Sequence, residues 1–202
     1  MKPLQKPQIP VYFGGSSEAA IPVAGKHADI FALWGETQAQ VAETIARVRH
    51  AAAKHGRQVK FSLSLRPVIA ETEEAAWAKA DAIAAEAKAL REKAGLPTSG
   101  HAPPNAGSHR LLDAAKQGTR LDKRLWTGVA AVTGAAGNST GLVGTPQQVA
   151  EALLDYYDLG VSTFLIRGFD PLDDAIAYGR DLIPLVRGLV AQRDANPTAA
   201  AG

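Results

Sequence analysis

Segments typical of strands alternate with segments typical of helices along most of the chain. The strand-like runs are rich in β-branched and aromatic residues. They lie at residues 10–14, 29–34, 60–67 and 163–168. Between the second and third runs, Val41 and Ile45 recur at helical spacing behind Thr37, a residue suited to cap a helix. Such alternation favours βαβ units with parallel strands, so the sequence predicts an α/β fold.

The third strand-like run has one polar face. Its alternation turns Phe61, Leu63 and Leu65 to one side and Ser62, Ser64 and Arg66 to the other. In an open doubly wound sheet both faces meet helices and are apolar, whereas the inside of a barrel near its mouth accepts polar residues. Four strands are too few to close a (β/α)8 barrel. The pattern therefore predicts half of such a barrel.

The stretch VYFGGSSEAA passes from a strand through two glycines and two serines into an alanine-rich helix. Gly14 and Gly15 allow the backbone to approach another group closely, and Ser16 or Ser17 can cap a helix that begins at Glu18. A loop of this kind at a helix N-terminus is suited to bind an anion such as a phosphate. The other interpretation is a tight turn with an ordinary serine cap.

Composition narrows the possible functions. The 202 residues contain no cysteine, which excludes disulfides, thiolate catalysis and cysteine-based zinc sites. A formal net charge of +2, with scattered Lys and Arg residues, does not indicate nucleic-acid binding. No apolar run approaches the ~20 residues that span a membrane, and the N-terminal segment lacks the apolar core of a signal peptide. We therefore expect a cytoplasmic protein that binds neither nucleic acid nor membranes.

The histidines and acidic residues do not form a recognisable catalytic or metal-binding set. His101 and His109 lie in or beside a segment rich in Pro and Gly, without the spacing of metal ligands. No Ser–His–Asp arrangement can be assembled from the sequence. We predict no metal site.

Several stretches keep the order and spacing of a known family. They are VYFGGSSEAA, ADIFALWGET, FSLSLRPVIAET and LVGTPQQVAEALLDYYDLG. Through them, residues 9–191 resemble the bacterial luciferase-like flavin monooxygenases, and within these the alkanesulfonate monooxygenases. The family fold is a TIM (β/α)8 barrel with insertions, and the resemblance covers only its C-terminal half, from the fifth strand onward.

The resemblance implies a partial luciferase-like domain at residues 1–192 and a disordered tail at residues 193–202. Because nothing corresponds to the first four strands, we expect a fragment, a mis-started gene or one half of a split protein. Catalysis needs groups from several strand ends, so we expect the chain alone to be inactive.

The resemblance also implies an activity. Members of the family use reduced FMN, delivered by a separate NAD(P)H-dependent flavin reductase, together with O₂. The alkanesulfonate subgroup releases sulfite and an aldehyde from its substrates, so an alkanesulfonate or related organosulfur compound is expected here. We expect a homo-oligomer when the protein is full length. The alternatives are a deazaflavin (F420)-dependent oxidoreductase of the same superfamily and a non-catalytic half-barrel.

The same resemblance assigns roles to residues. The turn formed by Gly14, Gly15, Ser16 and Ser17 corresponds to the one that holds the FMN phosphate. Trp34 matches the active-site tryptophan of the subgroup, and its other interpretation is a packing aromatic.

Four further positions depart from the subgroup pattern. Ser64 and Arg66 stand where the subgroup has an arginine and a histidine. Phe169 replaces an active-site tyrosine, and Arg167 is an additional cation at a strand end. We expect Arg66 to act in catalysis, and Ser64, Arg167 and Phe169 to bind substrate. These departures put the sulfonate substrate in doubt.

Two further expectations concern the surroundings of Arg66. A buried arginine needs a partner, and Glu36, at the end of the neighbouring strand, is the predicted one in the resting protein. The alternative role for Arg66 is a purely structural ion pair. The loop VTGAAGNSTG resembles the mobile lid of the family, with Thr133 in place of the lid arginine.

Overall fold

Strands and helices alternate around one curved sheet. The computed structural model describes residues 4–6, 8–98, 105–137 and 139–196. The strands are β1 (Tyr12–Phe13), β2 (Ile30–Trp34), β3 (Lys60–Ile69), β4 (Arg120–Leu121), β5 (Leu125–Trp126), β6 (Gly141–Gly144) and β7 (Val161–Ile166). The helices are α1 (Ala20–His27), α2 (Gln38–Ala53), α3 (Glu73–Lys93), α4 (Ala106–Gln117), α5 (Gly128–Thr133), α6 (Pro146–Asp158), α7 (Pro171–Ala177) and α8 (Ile183–Ala195).

Four of the strands form a parallel half-barrel. β1 pairs with β2, β2 with β3, and β3 with β7, all in parallel. The predicted α/β half-barrel is confirmed, and its fourth strand begins at Val161, two residues earlier than expected. Helices α1, α2 and α6 pack their buried residues on one face of these strands, around Phe31, Leu63 and Leu65.

The other face of the half-barrel is lined by residues that the ladder sets side by side. Ala32 pairs with Ser62, and Trp34 with Ser64. Their neighbours in sequence, such as Phe61 and Leu63, are fully buried on the helix side. The predicted polar face of β3 therefore lies on the concave side of the sheet.

A long segment of helices and short strands lies between β3 and α6. It contains α3, α4 and α5 and the short strands β4, β5 and β6, which pair antiparallel to one another. β6 runs parallel to the second half of β3, beside Arg66. The sequence pattern predicts no strand at Gly141–Gly144, because GLVG has weak intrinsic strand propensity.

Local signals set most of the helix boundaries. Thr37 and Thr145 each form a capping box at the start of α2 and α6, and Thr72 caps α3. A π-helical turn at Tyr178–Leu182 separates α7 from α8, just before Pro184.

Two helix ends differ from the expectation. α1 begins at Ala20 rather than Glu18, because residues 17–19 form a turn. α8 continues to Ala195, into the segment expected to be a tail, and residues 197–202 lie outside the described residues. Across the described ranges, no helix combines the length and apolar character that crossing a membrane requires.

Candidate functional site

A cavity of about 450 Å³ opens at the carboxyl ends of β1 and β2. Active sites of parallel barrels lie at this end of the strands. The loop after β1, the end of β2 and the N-terminus of α4 surround the cavity. Its lining residues are Gly14, Gly15, Ser16, Ser17, Phe31, Ala32, Leu33, Trp34, Glu36, Thr44, Asn105, Ala106 and Gly107. All four residues of the predicted phosphate turn therefore line the same cavity as Trp34.

The Gly-Gly-Ser-Ser loop is held close to its neighbours. A Cβ at Gly15 would lie 3.1 Å from the Cβ of Ala20, the first residue of α1. The Ser17 hydroxyl accepts a hydrogen bond from the Ala20 backbone N–H at 3.2 Å. Ser17 thus hydrogen-bonds to the first residue of α1 and also lines the cavity. The arrangement brings Ser16 and Ser17 to one wall of the cavity.

Trp34, the last residue of β2, packs against the segment inserted between β3 and α6. Its indole packs against the cluster of Leu111, Ala130 and Ala135. A Cβ at Gly107 would lie 3.0 Å from Trp34 Cζ3, so the first turn of α4 rests directly on the ring. Trp34 both lines the cavity and packs in the interior. Sequence reasoning missed Gly107, which lay in a segment interpreted as a loose insertion.

Glu36 lies in the wall of the cavity and binds Arg110 of α4. The distance from Glu36 Oε2 to Arg110 Nη2 is 2.8 Å, and Nε of the same arginine donates to Oε2 at 2.9 Å. Arg110 also donates to the backbone oxygen of Gln40 at 3.1 Å and to Glu43. Burial raises the pKa of the Glu36 carboxyl, against the lowering effect of Arg110. Our prediction that Glu36 would be the partner of Arg66 is wrong, because α4 brings Arg110 to that carboxylate.

Arg66 lies on β3, two residues beyond Ser64 and half-buried. Its Nη1 donates to the backbone oxygen of Gly168 at 2.9 Å, and its guanidinium carbon lies 5.0 Å from the centroid of the Phe169 ring. Phe169 in turn packs edge-on against Trp126 at 5.9 Å. Burial and then the charge of Arg167 lower the pKa of Arg66. The structure therefore brings Arg66 of β3 together with Arg167 and Phe169, which follow the end of β7.

The predicted site residues form two adjoining groups. The first is the cavity wall with Gly14, Gly15, Ser16, Ser17 and Trp34. The second is the cation group with Arg66, Arg167 and Phe169. Ser64 lies between them, paired with Trp34 across the ladder and with Leu165 of β7. β3 therefore links the two groups, since it carries Arg66 and pairs with Trp34 through Ser64.

Comparison with known proteins is consistent with this architecture. A family model described as Luciferase-like monooxygenase matches residues 1–163. A riboflavin lyase solved with modified FMN and riboflavin is 23% identical, with a TM-score of 0.63, and the match covers 88% of this chain and 42% of that one.

Two further structures have the same fold. EDTA monooxygenase from Chelativorans sp. BNC1 is 19% identical, with a TM-score of 0.60, and the match covers 87% of this chain and 45% of that one. An F420-dependent secondary alcohol dehydrogenase, solved with an F420–acetone adduct, is 15% identical, with a TM-score of 0.54, and the match covers 90% and 50%. This chain spans half or less of the length of these three proteins.

Proposed function

The chain belongs to the luciferase-like monooxygenase family, and we propose that it forms the flavin-phosphate and substrate side of an FMNH₂-dependent monooxygenase. The proposed substrates are alkanesulfonates or related organosulfur compounds. The observation that carries this proposal is the cavity whose wall contains the whole Gly-Gly-Ser-Ser loop and Trp34.

The cavity has the chemistry that a flavin phosphate needs. Ser16 and Ser17 supply hydroxyl donors, and the glycines before them keep side chains out of the wall. The first residues of α4, Ala106 and Gly107, line the cavity, so the positive end of that helix dipole points toward it. The apolar wall formed by Ala32 and Trp34 suits an aromatic ring system.

The cation group suits an anionic substrate. Arg66 on β3 and Arg167 just after β7 place two positive charges near each other. A guanidinium group binds sulfonate-like oxygens through paired hydrogen bonds. The Gly168 carbonyl and the Phe169 ring hold Arg66 in place before any substrate arrives. Bound reduced flavin would supply the reaction with O₂, and a separate reductase would supply the reduced flavin. The protein residues would orient the substrate and exclude water.

The phosphate assignment is tested by titrating FMN into the chain and following flavin fluorescence. Replacing Ser16 or Ser17 by Ala removes a charge-assisted hydrogen bond, and we expect each change to weaken binding by about 1.5–3 kcal/mol. Ser162→Ala, on β7 and outside the cavity lining, is the matched control and should bind FMN normally. Equal affinity of wild type and both loop variants would refute the assignment.

A deazaflavin-dependent oxidoreductase is the second candidate. It is favoured by the similarity of fold to the F420-dependent secondary alcohol dehydrogenase. F420 also carries a phosphate, so the same loop could hold either cofactor. Competition of FMN and F420 for the chain, followed by their different absorbance spectra, separates the two candidates.

A further inference from the structure

Both edges of the half-barrel are open in the part of the chain that the structure describes. There, β1 pairs only with β2, and β7 pairs only with β3. The two edge strands run in the same direction, because every pairing from β1 through β2 and β3 to β7 is parallel. Unpaired edges of this kind bind further strands readily.

Large apolar side chains are exposed along these edges. Tyr12 on β1 is 59% exposed, and Leu165 on β7 is 60% exposed. Both lie on the concave face, since Tyr12 is paired with Ile30, two residues before Ala32, and Leu165 is paired with Ser64. Ile9 and Val11 are also exposed beside β1, and Leu172 and Ile176 are exposed just after β7.

The parallel directions of the two edge strands, β1 and β7, are compatible with a twofold axis that relates two copies of the chain. A twofold axis along the barrel axis places β1 of one copy beside β7 of a second copy, and the two strands are then parallel. The same operation places β7 of the first copy beside β1 of the second. Four strands from each copy give eight, which is the number in a closed parallel barrel.

One pairing across the open edges gives the stagger that a closed barrel needs. The β1–β2 pairing, extended by two residues, sets Gly14 level with Ala32, and the ladder continues through Ser62 to Thr163. Tyr12 lies two residues before this line and Leu165 two residues after it. Pairing Leu165 with Tyr12 of a second copy therefore gives a stagger of about four residues for each half. Two such halves give the shear of ~8 residues that a (β/α)8 barrel requires.

We infer that two copies of this chain close an eight-stranded parallel barrel, with β1 of each copy paired with β7 of the other and Tyr12 opposite Leu165. Closure gives hydrogen-bond partners to both open edge strands and covers the exposed apolar side chains at both seams, where β1 of one copy lies beside β7 of the other. It also surrounds the concave face, where Ser62, Ser64 and Trp34 lie. This inference does not depend on the proposed function, because no cofactor or substrate enters it.

The mass of the purified 202-residue chain in solution provides the first test. Light scattering during size-exclusion chromatography should give twice the 21.1 kDa of one chain. A monomer at concentrations up to ~100 μM, or only polydisperse aggregates, would overturn the inference.

Introducing a charge at the seam provides the second test. Tyr12→Lys and Leu165→Glu each place an unpaired charge at both seams, and each should raise the dissociation constant of the dimer by roughly 100-fold or more. Combining the two changes puts lysine opposite glutamate and should restore the dimer. Leu90→Lys is the matched control, since Leu90 is 59% exposed but lies on α3, and it should leave the mass unchanged. Circular dichroism confirms that each variant is folded.

Engineered cysteines report the register directly. The chain has no cysteine, so Tyr12→Cys combined with Leu165→Cys should give a disulfide-linked dimer under mild oxidation. Neighbouring strands lie at a distance that a disulfide can bridge. Val11→Cys combined with Leu165→Cys is the control, because residue 11 points to the other face of the sheet. Equal cross-linking in both pairs, or in neither, would refute the proposed seam.

Discussion

Arg110→Met tests whether the contact between α4 and Glu36 holds the inserted segment against the half-barrel. Methionine is also unbranched and has a similar helix propensity, but it removes the charge of the side chain. The hydrogen bond from Arg110 Nε to Glu36 Oε2, at 2.9 Å, and the ion-pair contact of Nη2 with the same oxygen, at 2.8 Å, are lost. The Glu36 side chain is only 6% exposed, so its carboxylate is left without its counter-ion in the cavity wall.

The expected cost follows from this burial. Removing one partner of a buried ion pair costs about 3–5 kcal/mol. The Arg110 side chain is 20% exposed, so we expect a loss of about 2–4 kcal/mol in the free energy of unfolding. Urea denaturation at pH 8, followed by circular dichroism, measures the loss.

A double-mutant cycle separates the ion pair from simple packing. Glu36→Gln removes the charge that Arg110→Met strands, so the double variant should be at least about 1 kcal/mol more stable than the sum of the single losses implies. Additive losses would show that Arg110 acts through packing alone, and the reasoning would then fail.

The pH dependence has a definite sign. Burial raises the pKa of Glu36 above its usual value of 4.5, and loss of Arg110 raises that pKa further. A carboxyl with a raised folded pKa costs stability only once it ionises. The cost of Arg110→Met should therefore be small below about pH 4.5 and grow as the pH rises through the folded pKa. A cost that is independent of pH would contradict the assignment to Glu36.

Two further substitutions and one activity assay test the site and the activity. Arg66→Met should lower the free energy of unfolding by about 1–2 kcal/mol, because it removes the contacts with Gly168 and Phe169. The same change should weaken the binding of octanesulfonate, measured by calorimetry. Unchanged affinity for octanesulfonate would show that Arg66 has only a structural role. Gly107→Val should displace the Trp34 indole, shift the tryptophan fluorescence and lower the free energy of unfolding by about 1–3 kcal/mol. Gly188→Val is the control, since Gly188 has open space around it, and it should leave the fluorescence unchanged. The 202-residue chain should release no sulfite above background from octanesulfonate with reduced FMN and O₂, and robust sulfite release would contradict the need for the other strand ends.

Much of the half-barrel follows from local patterns. The alternation around Leu63 and Ser64 identifies β3 and its two faces, and Thr37 marks the start of α2. These features could be predicted because periodicity and capping depend on residues within a few positions of one another. The position of Trp34 near the Gly-Gly-Ser-Ser loop also follows, because neighbouring parallel strands end at the same edge of the sheet.

The contacts made by the inserted segment could not be predicted in this way. Arg110 reaches Glu36 across 74 residues of sequence, and Gly107 meets Trp34 from a segment with no periodic pattern of its own. β6 becomes a strand because the second half of β3 offers it a partner, not because GLVG favours that conformation. The alternation of strands and helices thus determined the half-barrel and the edge at which its site lies. Packing of α4 and β6 against it decided which charges meet there, because such contacts depend on how distant elements dock rather than on any local pattern.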